Sequence, residues 1–530
     1  MPNIVTVNVT QAVGATPATL QKSGALISQG ATNTTVGTAS LLTQASDLTA
    51  ILTGAKALTS VTLSAGTATA VCTAAHGFTI GDTLLITIAG VTPAGYNGTF
   101  TATVTTTTAF TYALSGSLSA GSGGVYTPED VAELNAMVTT FFAQGSGLSC
   151  YVLELGPGNA NDGVAALTAY MTANPNSAYT PGATGYFYAY CVPRYWDANA
   201  SFLALIASYQ ATTSRVYFFT TTTLATYTSY TNLMKCVVAL IESPSLGVYA
   251  ANAVTAGTYA SGVATVTTTT AHGVVPGNWF TISGCTPAGY NGTFLALTGT
   301  TASTLVYAVP TSLASMSGYG TLQASLYGNA AIPATEFSIV GAFWNFLNYS
   351  PSSANKVAPF AFKYLSGVTP FPTRGNSALL TTLKTANVNI VGTGAEGGIS
   401  NAIILWGTTM DGHDATYWYS VDWVQINSDI AIANAIINGS NTGQNPLYYD
   451  QNGINQLQGV AQGVMRSAIA FGLALAPATV TATAFAAYVT ANPSDYVAGI
   501  YRGLAVTYTP QRGFVSITFY VNVTSFPTAG

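Results

Sequence analysis

Charge is what this sequence has least of. Only 12 of its 530 residues are Lys or Arg and 17 are Asp or Glu, so charged side chains make up 5% of the chain. An average soluble protein carries about 25%. Scattered surface charge normally keeps a free globular protein in solution. A surface with so little of it is cheap to desolvate, which suits a subunit that hides its exterior against neighbours. Composition alone leaves open a secreted β-rich protein with a Thr/Ser surface. The few basic residues are scattered and the net charge is −5, so the clustered basic footprint of a nucleic-acid binder is missing. Cysteine is scarce as well. The five (Cys72, Cys150, Cys191, Cys236, Cys285) are odd in number and lack C-x-x-C spacing, which argues against a disulfide framework or a Cys-rich zinc site and for buried thiols. The N-terminal stretch has neither a basic nor an apolar signal region. The uncharged run around Ser467–Ser494 is broken by Pro477 and several threonines and reads as two helices joined by a turn, not as a membrane span.

What the chain has instead is an internal repeat. Thr92-Pro-Ala-Gly-Tyr-Asn-Gly-Thr-Phe100 recurs letter for letter as Thr286–Phe294. Upstream, Ala75-His76-Gly77 matches Ala271-His272-Gly273, and Gly81 matches Gly277. Alternating Thr/Val runs between Gly-rich breaks predict short strands. Asn97-Gly98 and Asn291-Gly292 predict type I′ hairpin turns, which need positive φ. His76 and His272 read as turn residues. Each copy has one histidine, and Asp82 of the first copy is replaced by Asn278 in the second, a poor basis for a metal site. Insertions are tolerated where loop ends lie close together at a surface.

The expected organisation is a multidomain α/β (α+β) chain. It has a host with a mixed, largely parallel sheet flanked by helices, and two small all-β inserted domains. The divisions fall at 1–58 (N-terminal arm and start of the host), 59–126 (first β-module), 127–256 (host α/β), 257–322 (second β-module) and 323–530 (C-terminal core with a terminal β-hairpin). Within the host, Thr127-Pro-Glu-Asp130 reads as a helix start with an N-cap Thr. A helix is predicted over Tyr230–Ile241, and strands over Leu246–Ala250, Val357–Tyr364 and Ile399–Met410. Long helices are predicted near Tyr417–Asn438 and Ile454–Leu475. Val515, Ile517, Phe519 and Val521 alternate with polar residues, as do Val5, Val7 and Val9, and both patterns predict strands.

Two motifs invite chemistry. Gly392-Thr-Gly394-Ala-Glu-Gly397 follows a strand, but the run after it suits another strand, not the helix a dinucleotide site requires. A hairpin loop is the simpler reading. Asp411-Gly-His413-Asp414, with Asp422 further on, could hold a divalent cation; equally, Asp411 or Asp414 could cap the following helix. His413 is the single histidine outside the repeats, and no G-x-S-x-G elbow accompanies it. No catalytic residue and no cofactor follow from these patterns.

The C-terminal half carries a resemblance. Gly407-Thr-Thr-Met-Asp-Gly412, an aromatic helix with Val421-Asp422-Trp423-Val424-Gln425, the Asn445-Pro446-Leu447 turn, the Asp450-Gln-Asn-Gly453-Ile454 helix start and the stretch from Tyr501-Arg502-Gly503 to Val523 stand in that order. This resembles the tail sheath proteins of contractile-tailed bacteriophages of the myovirus type. The resemblance covers 330–523 best, 127–250 by architecture and 4–50 loosely, and the two β-modules depart from it. It implies a virion component, assembled in the bacterial cytoplasm, that polymerises helically around an inner tail tube and contracts. Its partners would be copies of itself, the inner tube protein, and the baseplate and tail terminator proteins, with no direct nucleic-acid contact and no membrane insertion. Terminal strands exchanged between subunits are the expected joints, which assigns contact roles to Val5, Val7, Val9, Val515, Ile517, Phe519 and Val521. An adhesive or carbohydrate-binding surface protein is the alternative.

Overall fold

The computed structural model describes residues 20–174, 187–241, 251–274, 276, 279–310, 313–323, 336–370, 377–393, 401–443 and 446–515. The fold is mixed α/β. Its centre is a six-stranded sheet in the order Cys236–Leu240, Tyr217–Thr222, Ala189–Cys191, Gly24–Ser28, Cys150–Glu154, Ala39–Leu42. The first five strands run parallel and only the last is antiparallel. The strands Gly24–Ser28, Tyr217–Thr222 and Cys236–Leu240 are buried at every position, as a parallel sheet covered on both faces requires.

Alternation along each strand divides the core in two. Leu26, Val152, Tyr217 and Phe219 face helices α1 (Glu129–Ala143) and α4 (Ser338–Leu347). Ala25, Ile27, Leu153 and Phe218 face α2 (Ala160–Ala173) and α3 (Ala200–Ser208). Helix α5 (Ser377–Thr385) packs on the same side through Leu383.

Each repeat forms a separate antiparallel β-structure with its own core. The first has seven strands between Lys56 and Pro128, and the second has six between Asn252 and Gln323. Their cores are distinct from those of the host. The ends of each lie side by side: Lys56 pairs with Tyr126, and Asn252 with Leu322. The first repeat is bonded to the host. Asn159 Nδ2, at the start of α2, donates to Asp82 Oδ1 at 2.6 Å, and a strand of the repeat runs directly into α1 at Pro128. The second is reached through 242–250 and 324–335, which lie outside the described residues.

Several expectations need correction. Asn97 and Asn291 have φ of −82° and −94° in extended backbone, so neither Asn-Gly pair is a type I′ turn. The chain leaves a single 3-10 turn and enters a strand, with Gly98 at φ +150° and Gly292 at +146°. Residues 230–241 are not a helix: a 3-10 turn ends at Tyr230 and the buried run Cys236–Leu240 is a strand. Helix α1 is capped by Pro128, while Thr127 pairs with Thr87 in the repeat. Between Ser467 and Ser494 there is one strand between two helices. Gly472, at φ +74°, follows the end of α7 (Gln451–Ala470), and Ala474–Ala482 then runs as a strand to α8 (Phe485–Ala491). Residues 357–364 form no strand, only an isolated bridge from Tyr364 to Ile403. Ile390–Thr393 and Ala402–Leu405 pair antiparallel, which places Gly392 in a strand, while 394–400, the rest of the glycine motif included, lie outside the described residues. Residues 246–250 lie outside them too. All five cysteines are buried and unpaired.

Candidate assembly surface

Among the described residues six of the few charged side chains are buried: Asp82, Glu133, Glu154, Lys235, Asp414 and Asp422. Glu154 is buried and accepts bonds from Ser28 Oγ, Thr32 Oγ1 and the amides of Gly30, Thr32 and Gly156, tying the ends of two parallel strands together. Asp422 lies on α6 (Ala415–Asn441) with none of its surface exposed. Lys235 Nζ meets its Oδ1 at 2.9 Å, and the Tyr217 and Tyr188 hydroxyls donate to Oδ2 at 2.7 and 2.9 Å. Burial pushes the Asp422 carboxyl up, and Lys235 and the two hydroxyls act against that shift. Burial, with the Asp422 charge adding to it, drives both phenols well above their ordinary value. Every acceptor of the carboxylate is thus engaged, and a buried pair of this kind is destabilised chiefly by removal of one partner. The network bolts the first half of α6 onto the central sheet.

Asp422 is therefore a structural anchor and not a third metal ligand beside Asp411 and Asp414. Those two carboxylates also have separate tasks. Asp411 accepts from Thr409 Oγ1, from Trp418 Nε1 at 3.0 Å and stands 3.1 Å from His413 Nδ1. Asp414 is the N-cap of α6, accepting from the Thr416 amide at 2.8 Å and its hydroxyl at 2.6 Å. Burial raises its carboxyl. Among the described residues no group of three or more His, Cys, Asp or Glu side chains is placed to hold a metal ion. Both repeat histidines sit in turns, each accepting from a backbone amide through Nδ1 (Phe78 N at 3.1 Å, Val274 N at 3.0 Å).

Beyond Asp422 the character of the surface changes. The second half of α6 leaves the core, and its Ile436 and Ile437 are exposed. Helix α7 returns along it, burying Ile454, Ala461, Val464, Met465 and Ala468. Strands Ala474–Ala482 and Leu504–Pro510 then form a two-stranded antiparallel sheet. Its inner face (Ala474, Ala478, Val480, Val506, Tyr508) joins the core. Its outer face is Leu475, Thr479, Thr481, Ala505, Thr507 and Thr509, all exposed and uncharged. Among the described residues neither long edge of this pair carries another strand. Half of the exposed large apolar side chains among the described residues fall within 436–514, Tyr448, Tyr496, Val497, Ile500 and Phe514 among them. Strand edges that no other strand covers are sites at which a further strand adds.

Of the residues expected to make subunit contacts, Val515 is described and packs partly buried against the host core. Val5, Val7, Val9, Ile517, Phe519 and Val521 lie outside the described residues. The Lys235 anchor escaped the sequence reading because it lies 187 positions from Asp422. The available signal was a lone lysine against an apolar run in a chain nearly devoid of charge.

Fold and surface together describe a multidomain α/β protein whose C-terminal two-stranded sheet has an uncharged outer face. No protein-family model matches the sequence, and no curated protein aligns with it. Among solved structures it is similar to a sheath tail protein of Listeria innocua, at 9% identity over 87% of this chain and 88% of that one, with a TM-score of 0.35. At that TM-score the superposition is too loose to carry over a residue role. Among the described residues no helix is long and apolar enough to cross a membrane.

Proposed function

We propose that this chain is a non-enzymatic structural subunit of a bacteriophage contractile tail sheath. It would polymerise helically around an inner tube and contract to drive that tube through the host envelope. The chain divides, on this reading, at the boundaries 58, 126, 256 and 322, with both repeats carried on the outside. The observation that carries the proposal is the C-terminal two-stranded sheet, whose edges carry no further strand among the described residues and whose outer face bears no charge. Strand-patterned segments at 5–9 and 515–523 are natural occupants of such edges in a neighbouring copy, since backbone bonds supply most of the contact in strand addition. A heterologous contact that does not close into a ring generates an open helix, as a sheath requires. The scarcity of surface charge and the sequence resemblance of 330–523 support the same reading. The inner tube, baseplate and terminator proteins are the further partners it requires, and the tail of the virion is its location.

Negative-stain electron microscopy of the purified chain tests this, with tubes or sheath fragments as the expected images. Deleting the residues before Gly14 is expected to leave folded protein that no longer forms long tubes. Discrete particles from the full chain would overturn the polymer, and normal tubes from the truncated one would overturn the strand exchange.

A further inference from the structure

We propose that Lys235 and Asp422 condense into an amide, a covalent cross-link between the central sheet and α6. Their side chains are 1% and 0% exposed, and Nζ stands 2.9 Å from Oδ1. The Tyr217 and Trp418 rings flank the nitrogen, with their centres 5.4 and 5.3 Å away. The Arg215–Asp429 and Arg502–Asp495 pairs differ on two counts. Each has one partner in solvent, Asp429 at 65% and Arg502 at 63% exposure, and a guanidinium does not give up its proton to become a nucleophile.

An amine attacks a carboxyl only after the two have exchanged a proton. Here the ion pair and the neutral pair of amine and carboxylic acid differ by one proton moved from Nζ to Oδ1, with none drawn from water. A dry site favours the neutral pair, because charges cost most where water is absent, and burial already pushes the Asp422 carboxyl up. The Tyr188 and Tyr217 hydroxyls donate to Oδ2 at 2.9 and 2.7 Å. They polarise the carbonyl and hold the oxyanion that forms on it. The carbonyls of Ser214 and Thr212 accept from Nζ and orient it. Nζ bonds to Cγ, one of its protons passes to the hydroxyl at Oδ1, the Cγ–Oδ1 bond breaks, and Oδ1 leaves as water. The three protons of the ammonium end as one on the amide nitrogen and two on the water, and no oxidant or co-reactant enters. Contact between the groups replaces a bimolecular encounter, an advantage of ~10⁵–10⁸ M in effective concentration, and exclusion of water slows the reverse hydrolysis. The bond closes a loop of 187 positions that contains the second repeat. The inference concerns one chain and stands independently of the sheath reading.

Intact mass spectrometry of the denatured full chain, freshly purified and aged, tests it. The expected mass is that of the sequence less one water, and a digest should yield a branched peptide joining Lys235 to Asp422. The full sequence mass in both samples overturns the inference. So does a lost water without the branched peptide, the mark of a succinimide at an aspartate. Lys235→Met/Asp422→Leu removes both charges together, leaving neither buried alone, and should restore the full mass; a water loss that persists in it overturns the assignment. Tyr188→Phe/Tyr217→Phe should leave most of the fresh chain uncross-linked, and an extent equal to the parent's overturns the part given to the hydroxyls. Circular dichroism checks that the variants fold, and the parent's mass and digest decide the cross-link without them.

Discussion

The two repeats share a nine-residue sequence and build the same object, yet they stand in different relations to the rest of the molecule. In both, Thr-Pro leads into a 3-10 turn at Ala94–Tyr96 or Ala288–Tyr290. In both, the asparagine side chain completes a small loop by bonding both backbone groups of one residue. Asn97 holds Val91 N and O at 2.9 and 3.0 Å, and Asn291 holds those of Cys285 at 2.7 and 2.8 Å. The turn tyrosines reach matching carbonyls, Tyr96 to Ser119 and Tyr290 to Ala314. Phe100 packs on Tyr112 at 4.4 Å between ring centres, and Phe294 on Tyr307 at 4.6 Å. The identical residues are thus those that shape the loop and core. The difference lies outside the motif: Asp82 bonds the first copy to α2, whereas the sequence has Asn278 at the matching position. The shared letters specify a fold, and the unshared ones specify attachment.

The sharpest break of this comparison is excision. Replacing 57–127 by a short Gly/Ser linker should cost the host at least about 2 kcal/mol, because a charge-assisted bond alone contributes ~1.5–3 kcal/mol and packing against α1 adds to it. That corresponds to roughly 2–3 °C of Tm in a host of about 390 residues. Replacing 253–321 in the same way should shift the host transition by less than about 1 °C, since the adjacent ends of the repeat make loop closure cheap. Differential scanning calorimetry of the two deletions reads the difference. Equal shifts would mean that the second copy is fastened as firmly as the first.

How far the sequence reached follows the same division. The duplication, three of the buried parallel strands (Cys150–Glu154, Ala189–Cys191 and Tyr217–Thr222) and the capping of α6 by Asp414 were legible because each depends on neighbours in sequence, whereas the central strand Gly24–Ser28 was not. The Asn-Gly turns were misread because Asn97 acts on Val91, six residues back, and a dipeptide rule sees only two. Cys236–Leu240 was misread because a short apolar run fits a buried strand and a helix equally well by periodicity. Asp422 drew notice beside Asp411 and His413, but its partners Lys235, Tyr188 and Tyr217 lie about 200 positions away, in or just before strands of the central sheet.

Within the repeats themselves, equivalence should be measurable. Asn97→Ala and Asn291→Ala each strip two hydrogen bonds from a part-buried loop and should each cost about 1–3 kcal/mol in urea unfolding of the affected repeat. Similar losses at the two sites would sharpen the view that the motif is a folding element. A loss confined to one copy would break it.

The smallest expected effect concerns the histidines, where the copies differ by one bond. His76 Nε2 lies 2.7 Å from the Thr106 carbonyl, while His272 Nε2 is buried with no hydrogen-bond partner among the described residues. Burial lowers both imidazoles below 6.5. The unfolded chain therefore binds the extra protons first, and stability rises with pH through this window. Each histidine's contribution is fully present above pH 6.5 and is lost as pH falls through the lowered folded value. Urea midpoints should accordingly be flat above neutrality and fall on acidification, with a slope reduced in His76→Gln and in His272→Gln. At pH 7.5, His76→Ala should cost about 0.5–1.5 kcal/mol more than His272→Ala, the net contribution of one hydrogen bond. Equal costs would show that the second ring nitrogen contributes nothing in either copy, and the turn would then rest on the Nδ1 contact that both share.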